Sequence, residues 1–239
     1  MPFPPDSITA NLERLRNQLH DTCARAHRDP ATVALMAVSK THPAQAILEA
    51  HAAGQRLFGE NRVQEFAAQL PALSILYPLS STPCSFHLIG PLQSNKTAPA
   101  ANLFDAVDTL DSLKTAARLN AAAAALNKQI PILIEIKLSH ETTKHGLAPE
   151  SLSSFLQSLI PLQNLTVAGL MTVPPFSDDP ETARPYFQHL RRLRDENLAL
   201  HPTLTELSMG MSNDFRVAIE EGATTIRIGT AIFGTRTYP

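Results

Sequence analysis

The sequence predicts an α/β protein whose strands and helices alternate around one closed, eight-stranded parallel barrel, the (β/α)8 or TIM barrel. The length of 239 residues is close to the ~250 residues typical of such barrels. Eight short apolar or β-branched runs alternate with stretches of helical spacing, which indicates a parallel sheet. No break in composition divides the chain, so we expect residues 1–239 to form a single domain.

An extra helix is predicted ahead of the first strand. Asp6 or Ser7 is a suitable N-cap, and apolar residues then recur at helical spacing from Ile8 to Leu19. Such a periodic face indicates a helix packed against the outside of the barrel.

The predicted strands are continuous apolar runs, as expected of strands covered on both faces, or short β-branched runs. In chain order they span 33–38, 56–58, 85–89, 103–107, 130–138, 165–171, 205–208 and 224–228. Thr41 and Asp111 are predicted to cap the helices that follow them, and the Ser- and Pro-rich stretch 71–83 is predicted to be a surface loop. An open doubly wound sheet is the alternative fold, but no GxGxxG opens its first turn.

Charge and composition exclude several classes of function. The formal net charge is -2 and the basic residues are scattered, so we expect no nucleic-acid partner. Cys23 and Cys84 do not make a disulfide framework and fit a reducing compartment. The histidines show no metal-ligand spacing, so no metal site is predicted. Without a signal-peptide pattern or a long apolar run, we expect a cytoplasmic protein that does not contact the membrane.

The chain is organised around residues 204–234, LTELSMGMSNDFRVAIEEGATTIRIGTAIFG, which read as strand, loop, helix, strand, loop and helix start. Ser212 is predicted to be the N-cap of the first helix, and Gly229 and Thr230 to open the second. Helix N-termini offer backbone N–H groups to an anion, and the last two loops of a TIM barrel commonly hold a phosphate. The stretch therefore predicts a phosphate cup, with Arg227 beside it on the last strand.

Lys40 stands at the C-terminal end of the first strand, where the catalytic residues of barrels lie. On position alone, a lysine there is more often a solvated rim charge. With a phosphate cup in the same mouth, it indicates a phosphate compound whose aldehyde meets an amine, which is pyridoxal 5′-phosphate. Arg227 would face the ring nitrogen and leave it unprotonated, because arginine does not readily give up its proton. The ring would then be a weak electron sink.

Five segments that follow one another over nearly the whole chain carry a resemblance to a known family. They are AVSKTHP around Lys40, FGENRVQEF around Asn61, FHLIGPLQSNK around His87, GLMTVPP after Ala168, and the final LSMGMSNDFRVAIEEGATTIRIGTAIFGTR. On these segments the chain resembles the pyridoxal phosphate homeostasis proteins, which are single-domain barrels like the N-terminal domain of alanine racemase.

The resemblance implies roles for individual residues. Lys40 would hold the cofactor as a Schiff base, and Arg227 would face the pyridine nitrogen. Ser212 and the backbone N–H groups of Gly229 and Thr230 would hold the phosphate. Three further residues would line the pocket, namely Asn61, His87 and Met209. The chain departs from the usual family residues on the rim and in the packing, at Gln69, Phe86 and Pro91.

Some residues keep a second interpretation. His87 is flanked by apolar residues and is equally suited to be a hydrogen-bonded core histidine. Lys137 and Lys144 flank the loop after the fifth strand; we interpret them as rim charges, and the alternative is that they accept the cofactor in transit. The arginines of the long seventh helix are interpreted as a solvated face, at Arg191, Arg192 and Arg194.

Two classes of function remain. The first is a monomeric carrier that binds pyridoxal phosphate, buffers it and supplies it to apo-enzymes. The second is an amino-acid racemase, which needs an acid/base group on the cofactor face opposite the lysine. None of Tyr77, Tyr186 and Tyr238 is placed by the sequence to supply it. A Schiff-base aldolase would need a proton shuttle beside Lys40, which the sequence does not identify. We therefore expect a carrier without robust catalysis.

Overall fold

Eight parallel strands close into a barrel in the order of the chain. The structure is a computed structural model that describes residues 7–74, 83–139 and 145–234. The strands are β1 Ala34–Val38, β2 Leu57–Glu60, β3 Ser85–Leu88, β4 Ala106–Leu110, β5 Ile130–Glu135, β6 Leu165–Met171, β7 Glu206–Ser208 and β8 Thr225–Ile228. Because β1 pairs with β8 as well as with β2, the predicted TIM barrel is confirmed and the open sheet is wrong.

Helices follow the strands around the outside of the barrel. They are α1 Ile8–Arg25, α2 Ala44–Ala52, α3 Val63–Ser74, α4 Thr97–Leu103, α5 Leu113–Ala125, α6 Leu152–Leu159, α7 Arg184–Leu198, α8 Phe215–Glu220 and α9 Thr230–Phe233. No described helix combines the length and the low charge that crossing a membrane requires.

The predicted extra helix is α1, which begins before the first strand. Ser7 is its N-cap, with Oγ accepting from the backbone N–H of Ala10 at 3.2 Å. Its apolar face is buried against the barrel at Leu12, Leu15 and Leu19. The side chain of Asn11 donates to the carbonyl oxygen of Ile232 at 2.9 Å, so α1 is joined to α9, the last described helix.

The strands have an apolar outer face and a partly polar inner face. Outside, the rings of Phe58, Phe66, Phe86 and Phe104 pack between strands and helices, with centroids 4.6 to 5.3 Å apart. Because side chains alternate along a strand, the neighbours of these residues point into the barrel. This inner face carries ionisable groups, among them Asp108 and Arg227, both nearly fully buried. Charged side chains are rarely buried to this extent unless they are paired, so their burial here indicates a functional role.

Several predicted boundaries are wrong. Strand four, predicted at 103–107, starts at Ala106, because residues 97–103 form the short helix α4, which the sequence analysis missed. The N-cap of α5 is Ser112 and not Asp111; Ser112 Oγ accepts from Thr115 N–H at 3.3 Å. Strand five ends at Glu135 instead of residue 138, and beyond it Ile136 makes an isolated bridge to Leu147.

The predicted loop 71–83 begins inside a helix, because α3 continues through Pro71 to Ser74 and buries Leu73. The expected solvated arginine face of α7 is only partly solvated. Arg191 contacts the Glu221 carboxylate at 3.2 Å, and Arg194 donates to the carbonyl oxygen of Thr205 at 2.9 Å. These two arginines therefore join α7 to the elements around β7 and β8.

Candidate functional site

A cavity of about 520 Å³ opens at the C-terminal ends of the strands. This is the end of a TIM barrel at which active sites are built. Its wall includes six of the eight residues predicted to bind a cofactor, which are Lys40, Asn61, Ser212, Arg227, Gly229 and Thr230. The fold therefore brings together residues that the chain separates by almost two hundred positions.

Lys40 enters the cavity from the turn after β1. The backbone N–H of Ser39 donates to the carbonyl oxygen of Gly59 at 3.1 Å, which extends the pairing of β1 with β2 up to the lysine. The predicted helix cap at Thr41 is wrong: Thr41 has a left-handed backbone with φ 67°, and the N-cap of α2 is Pro43. Thr41 turns the chain sharply after Lys40 and so does not provide a cap.

Arg227 lies on β8, next to β1, and its side chain is 5 % exposed. Its guanidinium donates to Ser208 Oγ at 2.7 Å and to the carbonyl oxygen of Thr172 at 2.8 Å. Burial lowers its pKa from the usual value, while the nearby carboxyls of Asp108 and Glu135 act in the opposite direction. An arginine held on two sides in this way presents a fixed donor to the cavity.

The loop after β7 forms one side of the predicted phosphate cup. The expectation that Ser212 caps the next helix is wrong, because α8 begins at Phe215 and its N-cap is Asp214. Asp214 Oδ1 accepts from the backbone N–H of Met211 at 2.6 Å, and this contact closes a turn around Ser212. Ser212 thus reaches the cavity wall from a turn rather than from a helix start.

The other side of the cup is the β8–α9 turn. Gly229 is the N-cap of α9, as expected, and a Cβ added to it would lie 3.4 Å from the carbonyl oxygen of Val38. The first amides of a helix have no acceptor within the helix. For Gly229 and Thr230, no acceptor of the amide is found among the described residues. These two N–H groups are therefore available to a ligand beside Lys40.

Asn61 follows β2 and lies against the β3 turn. A Cβ added at Gly90 would come within 2.1 Å of the Asn61 carbonyl oxygen, so only glycine permits this approach. Both Asn61 and Pro91 line the cavity, as does Lys137 on the far side of the barrel. Lys144 lies outside the described residues.

His87 and Met209 do not line the cavity, contrary to expectation. Ile89, directly after β3, is the next residue of the same face as His87 and does line the cavity, so His87 lies one layer deeper. There its Nδ1 is 3.1 Å from Asp108 Oδ1. Burial opposes the charged ring, but the hydrogen bond and charge of Asp108 outweigh it and raise the pKa of His87. Met209 is fully buried in the hydrophobic core.

Other residues on or near the wall were missed. Glu135 lies on it, and burial raises the pKa of this carboxyl. Because strand five was predicted to continue to residue 138, Glu135 was placed in the middle of a strand. Glu135 is in fact the last residue of β5, and an acidic residue at the end of a strand is a signal for a site. Glu60, which lies just beyond the predicted strand 56–58, is the last residue of β2 and is completely buried.

Comparisons with known proteins find relatives over nearly the whole chain. The profile of the family described as "Alanine racemase, N-terminal domain" matches residues 6–237. The Pyridoxal phosphate homeostasis protein of Pseudomonas aeruginosa is 44% identical over 234 residues, which cover 97% of each chain. The protein of the same name from Escherichia coli K12 is 39% identical over 236 residues, covering 98% of each chain.

Solved structures extend the comparison to three dimensions. PipY of Synechococcus elongatus, with PLP bound, matches with a TM-score of 0.84 and 40% identity, covering 95% of this chain and 100% of that chain. An alanine racemase of Clostridium difficile matches with a TM-score of 0.66 and 13% identity, covering 93% of this chain and 57% of that chain. At that identity the likeness to the racemase shows a shared fold alone.

Proposed function

The chain belongs to the pyridoxal phosphate homeostasis protein family, and on that premise we propose that it binds pyridoxal 5′-phosphate and serves the buffering and supply of this cofactor. The observation that carries the proposal is the single cavity wall shared by Lys40, Arg227, Ser212 and the Gly229–Thr230 turn. An amine suits the aldehyde, and hydroxyl and amide donors suit the phosphate. The residues present therefore fit the group.

Each residue has a separate role in this proposal. Lys40 Nζ holds the aldehyde carbon covalently. Ser212 Oγ and the amides of Gly229 and Thr230 donate to the phosphate, while Asn61 contacts the cofactor from the rim. The fit is supported by the adjacency of β1 and β8, which brings the Lys40 turn beside the Gly229 turn.

Arg227 favours a carrier over a catalyst. When bound, pyridoxal phosphate supplies an electron sink for chemistry at the α-carbon of an amino acid. That sink is strongest when the ring nitrogen is protonated. A guanidinium anchored to Ser208 and Thr172 donates a hydrogen bond to this nitrogen and does not give it a proton. The residue thus supports binding of the ring without full activation.

The racemase remains the alternative function. It requires an acid/base group on the cofactor face opposite Lys40. Tyr186 lies on α7, and no tyrosine lines the cavity in the described parts of the chain. Tyr77 and Tyr238 lie outside them.

Borohydride reduction tests the proposal directly. Protein mixed with pyridoxal phosphate should turn yellow, and reduction followed by peptide mass mapping should find the pyridoxyl phosphate group on Lys40. The same experiment with Lys137→Ala should give the same labelled peptide. Label on Lys137 or Lys144 in place of Lys40 would contradict the assignment, and absence of any label would contradict cofactor binding.

We further propose that residues 1–239 work as one cytoplasmic, monomeric unit that supplies apo-enzymes. A delivery experiment tests this supply by following activation of an apo-enzyme while a trap removes free aldehyde. Activation that persists with the trap supports direct delivery, and activation abolished by the trap leaves release into solution as the route.

A further inference from the structure

A buried carboxyl group lies directly behind the lysine turn. Glu60 is the last residue of β2 and Ser39 is the first residue after β1, on neighbouring strands. Ser39 Oγ donates to Glu60 Oε1 at 2.5 Å. The side chain of Glu60 is 0 % exposed, and its second oxygen, Oε2, is buried without a hydrogen-bond partner among the described residues. An unsatisfied buried carboxylate oxygen is costly and therefore calls for an explanation.

The turn that carries Lys40 is fixed from several sides. The backbone N–H of His42 donates to the carbonyl oxygen of Ser39 at 3.0 Å, closing the turn. Gln69 of α3 donates to the carbonyl oxygen of His42 at 3.0 Å, and the His42 ring stacks on Phe233 with centroids 4.9 Å apart. Glu60 supports this turn from the same face of β2 as Phe58, since it binds the side chain immediately before the lysine.

Glu60 also has an electrostatic link to the lysine. Burial raises the pKa of its carboxyl to about 7, the hydrogen bond from Ser39 and the charge of Lys40 lower it, and the charge of Glu65 raises it. Glu65 on α3 is itself paired with Arg62 at 2.8 Å. The charge of Lys40 thus lowers the pKa of Glu60, and the charge of Glu65, which Arg62 partly neutralises, raises it.

We propose that Glu60 is a positioning residue for Lys40: it holds the lysine turn through the Ser39 hydroxyl and places a buried, ionisable carboxyl group next to that turn. This inference rests on the proposed function of Lys40. No comparison or motif assigns the residue such a role.

The proton balance gives the direction of the effect. The neutral Lys40 nitrogen forms a C=N bond to an aldehyde carbon, and the aldehyde oxygen leaves as water. An ionised Glu60 favours the ammonium form of Lys40, which cannot attack. Protonated Glu60 does not oppose attack in this way and keeps its hydrogen bond to Ser39. Loading should therefore be slowed selectively above the pH at which Glu60 ionises.

The experiment compares Glu60→Gln with the natural protein over the range from about pH 5.5 to about pH 8.5, which brackets neutrality. Glutamine keeps a hydrogen-bonding side chain of the same size and removes the ionisation. Taking the ratio of the two loading rates with excess pyridoxal phosphate cancels the titration of the cofactor itself. We expect the ratio to be close to one at low pH, and the variant to load roughly three- to tenfold faster at high pH, as one screened unit charge would produce.

Two controls separate positioning from a general effect. Glu49→Gln makes the same chemical change at an exposed position of α2 and should leave the profile unchanged. Ser39→Ala removes the donor to the ionised carboxyl and should move the inflection to higher pH. Carbon-13 NMR of the apo-protein should show one glutamate carboxyl that titrates near neutrality and disappears in Glu60→Gln.

The results that would contradict this inference differ from those that would contradict the proposed function. Superimposable rate profiles for the natural protein and Glu60→Gln would overturn the inference, as would a Glu60 signal that titrates in the ordinary carboxyl range. If Lys40 is not labelled by borohydride, the cofactor assignment fails instead. Should Glu60→Gln not fold, the NMR titration of the natural protein and the Ser39→Ala profile still decide the outcome.

Discussion

Ser208 Oγ accepts a hydrogen bond from Arg227 Nη1 at 2.7 Å, across the junction of β7 and β8 inside the barrel. A second bond joins the same guanidinium to Thr172 at the end of β6. One buried cation on the cavity wall therefore connects three consecutive strands. Around it lie the carboxyls of Asp108, Glu135 and Asp214.

Replacing Arg227 should destabilise the protein even without cofactor. Arg227→Gln removes a buried cation that donates to Ser208 Oγ and to the carbonyl oxygen of Thr172, and a hydrogen bond from a charged group is worth about 1.5–3 kcal/mol. Urea unfolding of the apo-protein would measure the loss. Arg192→Gln, at an exposed position of α7, is the matched control and should change stability by less than about 0.5 kcal/mol. Equal stability of the two variants would show that the barrel does not depend on this charge.

Lys40→Ala should abolish the yellow colour of the loaded protein while the barrel stays folded. The lysine lies in the mouth of the barrel and contributes little to the core. Visible absorbance and far-ultraviolet circular dichroism, recorded on the same sample, provide the two readouts. Lys137→Ala removes another amine of the same cavity and should keep the colour. A yellow Lys40→Ala protein would move the assignment to another amine.

Ser212→Ala should weaken cofactor binding without changing the colour of the saturated protein. The substitution removes one hydrogen bond to a charged group, which is worth about 1.5–3 kcal/mol. At ~1.4 kcal/mol per factor of ten, the dissociation constant should rise roughly tenfold to a hundredfold. Pyridoxal, which lacks the phosphate, should bind both proteins equally poorly. Ser153→Ala, exposed on α6, serves as the control, and an unchanged constant for Ser212→Ala would place the phosphate elsewhere.

The free energy of unfolding should fall as the pH rises towards neutrality. Glu60 has a pKa raised from 4.5 to about 7 in the folded chain, so the folded state keeps a proton that the unfolded state has lost. Its stabilising contribution is complete below about pH 4.5 and is lost as the pH passes through about 7, by up to about 3 kcal/mol. Glu60→Gln should flatten this part of the urea-unfolding profile, and Glu49→Gln should not. A slope that survives in Glu60→Gln would come from the other groups whose pKa is raised in the folded chain, which are Glu135, Glu206, Asp214 and His87.

Added alanine should be racemised no faster by the loaded protein than by free pyridoxal phosphate. In the proposed arrangement, Arg227 donates to the ring nitrogen without protonating it, so the ring is a weak electron sink, and no tyrosine lines the described cavity wall. Chiral chromatography after incubation in deuterated water measures both inversion and exchange. Turnover on the ordinary enzymatic scale of ~1–1,000 per second, lost in Lys40→Ala, would establish the racemase instead.

The fold was predictable because its signals are local and repeated. Alternating apolar runs and helical spacing fix the order of elements. Ser7, one of the two predicted N-caps, and the helix start at Gly229 and Thr230 were found where expected. The short helix α4 was missed, since seven residues carry too little periodicity to separate them from a loop.

The candidate site was less predictable, because a residue lines the cavity only if its side chain lies at the right depth within the barrel. The position of a residue in the sequence does not fix that depth. His87 and Ile89 share one face of the chain at β3, yet only Ile89 reaches the cavity. Glu60 gave no signal, since its role arises from Ser39, a partner on the neighbouring strand. The depth of a side chain within a barrel follows from strand stagger, which single-sequence patterns do not encode.

The pairing of Met36 with Arg227 joins the first strand of the barrel to the last. During synthesis, Lys40 leaves the ribosome well before the strand that pairs with its own, because about 190 residues separate Met36 from Arg227. The loop to be closed is nearly the whole chain, which makes this contact slow to form. The cavity wall is consequently completed late in folding, and a chain cut short before Gly229 keeps Lys40 but lacks the β8–α9 turn that forms one side of the proposed phosphate cup.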